Sequence, residues 1–276
     1  MYRLTLLLSL PALLAAADPS VREMSLTTQD GFALSGTLRV PEGRRRHPAV
    51  ILVHSFHSDR SGWDPLVEKL NARGLATLAV DLRGHGKSLQ QGGDSATVTS
   101  TYLMASVAMG YDQIPADLAH VAVWLRKQKD IDGRHLGLAG ADEGAFAALL
   151  ASSRIQPKAT LALSPVGAEN FGPDARRRMT AAATRAHATL MAFAAAEDKE
   201  AGENLAPLRP IFGANIRDFD GKQRGLEYLE DHSDVMAVFF AEYLLHPHTG
   251  RTVEKAKPAE SQAPAAVLTP ESQPNP

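Results

Sequence analysis

Residues 136–150 read Leu-Gly-Leu-Ala-Gly-Ala-Asp-Glu-Gly-Ala-Phe-Ala-Ala-Leu-Leu, and they constrain the fold more than any other stretch. The apolar run 136–139 has the character of a buried strand, and the Ala/Leu-rich run from Glu143 that of a helix. Between them Gly140 and Gly144 stand four apart around a polar centre, Asp142. Flanking glycines let a strand turn sharply into a helix and push the central side chain outward. The spacing therefore predicts a tight strand-to-helix turn that presents a carboxylate.

The rest of the chain repeats the theme. Residues 21–28 and 32–40 alternate in polarity around Gln29-Asp30-Gly31, a hairpin signal. Arg44-Arg45-Arg46-His47 reads as a solvated basic loop. Residues 48–54 form a continuous apolar run suited to a central parallel strand. A helix is expected over 63–73, with Trp63, Leu66 and Leu70 inward, then a strand over 75–80. A polar stretch, 89–110, precedes an amphipathic helix at 114–128. Beyond the turn, strands are expected at 159–163, 189–194 and 215–219, with helices at 172–183 and 235–245. Strands alternating with helices imply an α/β fold, a mostly parallel central sheet with helices on both faces.

The two ends differ from this core. Residues 1–17 carry Arg3, an apolar run and Ala15-Ala16-Ala17, the pattern of a cleaved secretory signal. A membrane anchor is disfavoured because the run is too short to span a bilayer and contains Pro11. The expectation is a secreted or periplasmic protein with no transmembrane segment once the signal is removed. Residues 251–276 hold recurring prolines and almost no aromatic content, so they read as a disordered tail. The folded domain is then about 21–247. A net charge of −2 gives no electrostatic case for nucleic acid. With no cysteine, disulfides, thiolate metal sites and a cysteine nucleophile are excluded.

Three pieces together carry a family resemblance: Val53-His54-Ser55-Phe56-His57, Asp81-x-Arg83-Gly84-His85-Gly86-Lys87-Ser88, and Gly140-Ala141-Asp142-Glu143-Gly144. In this order the chain resembles the α/β-hydrolase superfamily, particularly its dienelactone-hydrolase-like and esterase-like members. Gly86-Lys87-Ser88 also ends like a phosphate-binding loop, but the glycine required five positions earlier is Asp81.

The resemblance implies a nucleophile at the centre of the turn, an acid after a late strand, a histidine near the last strand, and backbone donors for an oxyanion. By position these fall on Asp142, on Asp198, on Arg224 where a histidine is expected, and on Ser55, Phe56 and Glu143. Serine usually occupies the centre of the turn, and the family usually has glycine where Ser55 stands.

A serine hydroxyl needs an imidazole to take its proton. An aspartate could attack unaided and form an ester, but breaking that ester needs a base, and a guanidinium stays protonated. Family members with an aspartate nucleophile, the haloalkane dehalogenases and epoxide hydrolases, place tryptophan next, where this chain has Glu143. Asp142 also has a bland role as helix N-cap, where the helix dipole would favour the carboxylate by about 0.3–1 kcal/mol and lower its pKa.

The expectation is a pseudo-hydrolase that binds a small molecule or a protein partner. The alternative is an active hydrolase with Asp142 as nucleophile and His232, or another histidine, as base. A third is an envelope scaffold tethered by the proline-rich tail. Asp198 could equally be a turn residue, and His232 part of a helix start capped by Ser233 or Asp234. His54 and His85 read as loop-holding residues, and His246-Pro-His248 as at most a weak metal chelator. No cofactor or metal site is expected.

Overall fold

The computed structural model describes residues 19–56, 58–95 and 107–246. Its centre is built from the most apolar runs of the chain. Strands β3 (His47–Val53), β4 (Ala76–Val80), β7 (Ile131–Ala141), β8 (Ala159–Leu163), β9 (Thr189–Ala195) and β10 (Ile216–Phe219) lie parallel in the order β4-β3-β7-β8-β9-β10. The hairpin β1 (Ser20–Thr27) and β2 (Phe32–Val40) adds antiparallel to β4 through β2. A small ribbon, β5 (Gln90–Gln91) and β6 (Asp94–Ser95), pairs with the start of β2. It occupies part of the stretch read as polar, 89–110, of which 96–106 lie outside the described residues.

Alternation along β3 separates two cores. Ala49, Ile51 and Val53 face helices α2 (Ile114–Arg126), α3 (Glu143–Ile155) and α4 (Ala175–Arg185), while Val50 and Leu52 face α1 (Asp64–Ala72) and α6 (Tyr228–Leu245). Successive side chains point to opposite faces, so a strand buried on both sides reads as a near-continuous apolar run. β3 is buried throughout. Between β9 and β10 lies α5 (Lys199–Leu205), which the sequence pattern did not announce. Among the described residues no helix is long and apolar enough to cross a membrane.

Several expectations need correction. His47 leaves the basic loop and starts β3, buried, with Nδ1 3.0 Å from the Gly74 carbonyl oxygen. The closing helix starts at Tyr228 rather than 235, so His232 lies inside it and neither Ser233 nor Asp234 caps it. The start is set upstream, where the Arg224 backbone N–H donates to Glu227 Oε2 at 2.8 Å. Glu230 and Asp231 lie exposed on a helix that buries Tyr228, Leu229, Ser233, Met236, Ala237 and Phe240. The helix read at 172–183 runs later, from Ala175 to Arg185, because Asp174 adopts a left-handed backbone before it.

Candidate active site

Every parallel strand ends on the same edge of the sheet, and the loops leaving that edge bring the expected residues together. β7 delivers Asp142 in a strained backbone conformation, φ 50° and ψ −117°. Its N–H donates to the Leu163 carbonyl at 2.8 Å, and its carbonyl accepts from the Ala145 and Phe146 N–H groups. The flanking glycines are required by contact: a Cβ at Gly140 would strike the Gly144 backbone, and one at Gly144 would strike the His54 carbonyl.

Asp142 occupies the cap position of α3, but its side chain makes no capping hydrogen bond. The expected N-cap role is therefore not realised. The side chain instead turns toward the loop after β10.

There Arg224 Nε stands 3.1 Å from Asp198 Oδ2 and 3.8 Å from Asp142 Oδ1. Arg224 is half-exposed, whereas the two carboxylates are largely covered. Gly225, at φ 47°, lets the chain pass directly over the Asp142 carboxylate, where any Cβ would collide with Oδ2. Asp198 has two tasks. Oδ1 accepts from the Ala201 N–H at 3.2 Å and caps α5, while Oδ2 faces Arg224. Asp198 is thus the N-cap of α5 as well as the carboxylate against Arg224.

The charge balance is unusual. Burial pushes the Asp142 carboxyl up to about 7, and the neighbouring Glu143 carboxylate pushes the same way. Arg224 and the Ser55 hydroxyl oppose the rise, while Asp198 adds to it. The sequence expectation that the helix terminus would lower this pKa is overturned, because desolvation and a like charge outweigh a dipole worth under about 1 kcal/mol. Asp142 Oδ1 and Asp198 Oδ2 are both buried without a hydrogen bond among the described residues.

Two further residues were not singled out from sequence. Ser164 follows β8 at φ 48°, and Tyr228 opens α6; both side chains are buried, and neither hydroxyl has a hydrogen-bond partner in good geometry among the described residues. Burial drives the Tyr228 phenol up to about 12, with the nearby Ser164 hydroxyl opposing and the Asp198, Glu227 and Asp142 charges adding. Ser164 was detectable as the polar residue ending an apolar strand beside β7. Tyr228, four residues after Arg224, carries no such signal.

The loop after β3 supplies the other wall. The Phe56 N–H, one of the expected oxyanion donors, donates to Glu143 Oε2 at 3.0 Å. His54 holds this loop to the next: Nδ1 lies 2.7 Å from the Ser55 carbonyl oxygen, and Nε2 accepts from the Leu82 N–H at 2.9 Å. Those partners assign the proton to Nδ1. Burial pulls the His54 pKa down to about 4, so the ring is neutral in the folded chain.

His85 packs edge-on against Phe56 at 5.3 Å, with Tyr111 beyond at 6.1 Å. The Asp81 carboxylate accepts from the Arg60 and Lys87 backbone N–H groups at 2.9 and 2.8 Å.

His232 stands apart, enclosed by the rings of Phe219 at 4.7 Å, Phe193 at 5.6 Å and Tyr228 at 6.2 Å. It is not among the groups that shift the Asp142 carboxyl. His57, His248, the signal-like segment 1–17 and the tail 251–276 lie outside the described residues. No group of three or more potential metal ligands occurs among the described residues.

The model of the alpha/beta hydrolase family matches residues 50–268. The chain belongs to that family. As a family member it is similar over 116 residues, at 33% identity, to an uncharacterized 31.7 kDa protein of Escherichia coli from the traX-finO intergenic region. That match takes in 42% of this chain and 35% of the relative, so it spans only about a third of the relative's length. It is also similar, at 26% over 147 residues, to an uncharacterized protein of Mycobacterium tuberculosis, covering 53% of this chain and 46% of that one.

Among solved structures, dienelactone hydrolase from Anabaena variabilis superposes with a TM-score of 0.60 at 17% identity, covering 83% of this chain and all of that one. An esterase from Pyrococcus furiosus gives 0.60 at 19%, covering 82% and 92%. Acetyl xylan esterase from a Paenibacillus species gives 0.60 at 18%, covering 88% of each. At these identities the likeness establishes the fold.

Proposed function

We infer that this alpha/beta hydrolase family member has a cleft that does not run serine-type hydrolysis, and that the protein acts by binding a small molecule or a partner outside the cytoplasm. The observation that carries the reading is the Arg224 Nε, 3.1 Å from Asp198 and 3.8 Å from Asp142. In an esterase the group between nucleophile and acid must take up a proton and give it back. A guanidinium cannot do this at physiological pH. Asp142, Arg224 and Asp198 together form an ion-paired cluster of two carboxylates and one guanidinium, in which Arg224 cannot serve as the proton shuttle. The signal-like N-terminus supports export, and the fold's strand-end cleft supports a binding role.

The test is hydrolysis of activated esters, a substrate type suggested by the esterases among the structural neighbours. The wild-type protein should turn them over no faster than Asp142→Ala; a clear Asp142-dependent rate would refute the reading.

A second reading is favoured by one observation, the strained backbone that presents Asp142 as a nucleophile is presented in this fold. On that reading Asp142 attacks substrate directly, and a histidine activates water to release the ester. It predicts added mass on the Asp142 peptide when substrate is supplied to a variant lacking the base, such as His232→Ala. An unmodified peptide from such a variant would remove it.

A further inference from the structure

A cleft in this fold can be silenced at its proton shuttle and still keep its anion-binding donors. Here those donors are in use. The Phe56 N–H points at Glu143 Oε2 at 3.0 Å, bridging the loop after β3 to the first turn of α3. We propose that the Phe56 N–H and the opening turn of α3 form a carboxylate-binding site whose resident occupant is the chain's own Glu143.

Three observations support the site. The occupant is itself a carboxylate, so the Phe56 N–H already donates to the kind of oxygen that the proposed ligand would offer. The donor comes from a loop held rigidly, since His54 ties Ser55 to Leu82 through both ring nitrogens at 2.7 and 2.9 Å. The acceptor sits in the first turn of a 13-residue helix, where the dipole favours negative charge. Aromatic side chains close the far side, with Phe56 5.3 Å from His85 and 5.9 Å from Tyr111 between ring centroids. The Glu143 charge is felt there too, because it helps burial to raise the Tyr111 phenol.

The consequence is an intramolecular block. An ester oxygen developing negative charge would need the Phe56 N–H, and Glu143 already holds it. This inference rests on the reading of Asp142 and Arg224 as the altered catalytic positions. It adds that restoring serine and histidine there would leave the cleft filled.

Acetate titrated into the ¹⁵N-labelled full chain is the probe, read at the Phe56 amide. Glu143→Ala, and Glu143→Ser as an independent second variant, should show a saturable shift of that resonance. Wild type and Glu143→Gln should not, because a glutamine carbonyl can keep the contact. Equal shifts in all four proteins, or none in the two small-residue variants while their melting curves remain cooperative, would overturn the proposal.

A second arm separates it from the reading beneath it. Asp142→Ser/Arg224→His/Glu143→Ala should cleave 4-nitrophenyl acetate roughly tenfold or more faster than Asp142→Ser/Arg224→His, given what oxyanion donors contribute. Acetate binding without that gain upholds the carboxylate site and counts against the assignment of Asp142 and Arg224.

Discussion

Arg83 and Asp142 are both largely buried charges on loops at the carboxyl edge of the sheet, but their surroundings differ. Arg83 donates to Asp117 through Nε and Nη2 at 2.8 and 2.9 Å, to Asp30 through Nη1 at 2.8 Å, and to the Met109 carbonyl at 3.0 Å. Its guanidinium also lies 4.7 Å over the Phe32 ring. Asp142 has a like charge beside it, a half-exposed cation at 3.8 Å and an oxygen without a hydrogen bond. Buried ions persist cheaply only when fully paired and hydrogen-bonded, and the Arg83 site meets that condition. The difference marks one region as scaffold and the other as a site where the fold tolerates electrostatic cost.

The contrast should be most visible in stability. Arg83→Met strands the Asp117 carboxylate inside the protein and should cost about 3–5 kcal/mol, read from the urea midpoint at pH 7. A change under about 1 kcal/mol would erase the distinction between the two regions.

Asp142→Asn should act in the opposite direction. The folded-state pKa near 7 lies above the ordinary 3.8, so between those values the folded chain holds a proton that the unfolded chain has released. Stability therefore falls as pH rises from about 4 to about 7, and the loss persists above it. Removing the acid should stabilise the protein at pH 8 by on the order of 2–4 kcal/mol, with little gain at pH 4. Destabilisation at pH 8 would contradict the description of the cluster.

His54 sharpens the comparison from the acid side. Its folded pKa near 4 lies below the ordinary 6.5, so the unfolded chain takes up a proton first as pH drops. Stability should be complete above about 6.5 and decline toward pH 4, and His54→Gln should flatten that limb by on the order of 1–3 kcal/mol. Unfolding midpoints at pH 5 and pH 7 for the two proteins decide it.

The smallest effect should come from Arg224→Gln. A half-exposed guanidinium contributes under about 1 kcal/mol to folding. It nevertheless lowers the Asp142 pKa, so its removal should move the Asp142 carboxyl resonance to a higher titration midpoint. An unmoved midpoint would mean that the two groups do not interact.

Much of this was legible in the chain itself. Gly140 and Gly144 could be read as a turn because their requirement is local, and the strand runs could be read because double-sided burial demands unbroken apolar sequence. Arg224 could be placed by counting from the last strand. What could not be read depends on distances between segments far apart in sequence. Nothing local says that the Glu143 side chain turns back to Phe56, 87 positions earlier. Nor does the sequence show that burial outweighs the helix dipole at Asp142, since that depends on how closely Gly225 passes over it. The start of α6 was misplaced because its first turns carry their polar face to solvent, and short charged stretches look alike in helix and loop.

The central claim is that Arg224, the described side chain that stands between Asp142 and Asp198, cannot shuttle a proton. It is tested most directly by the pH–rate profile of 4-nitrophenyl acetate hydrolysis from pH 6 to 9, with wild type and Asp142→Ala run side by side. The account predicts that the two profiles coincide with each other and with the buffer blank. A wild-type rate that exceeds the variant's and rises through a midpoint near 7, where Asp142 ionises, would contradict it.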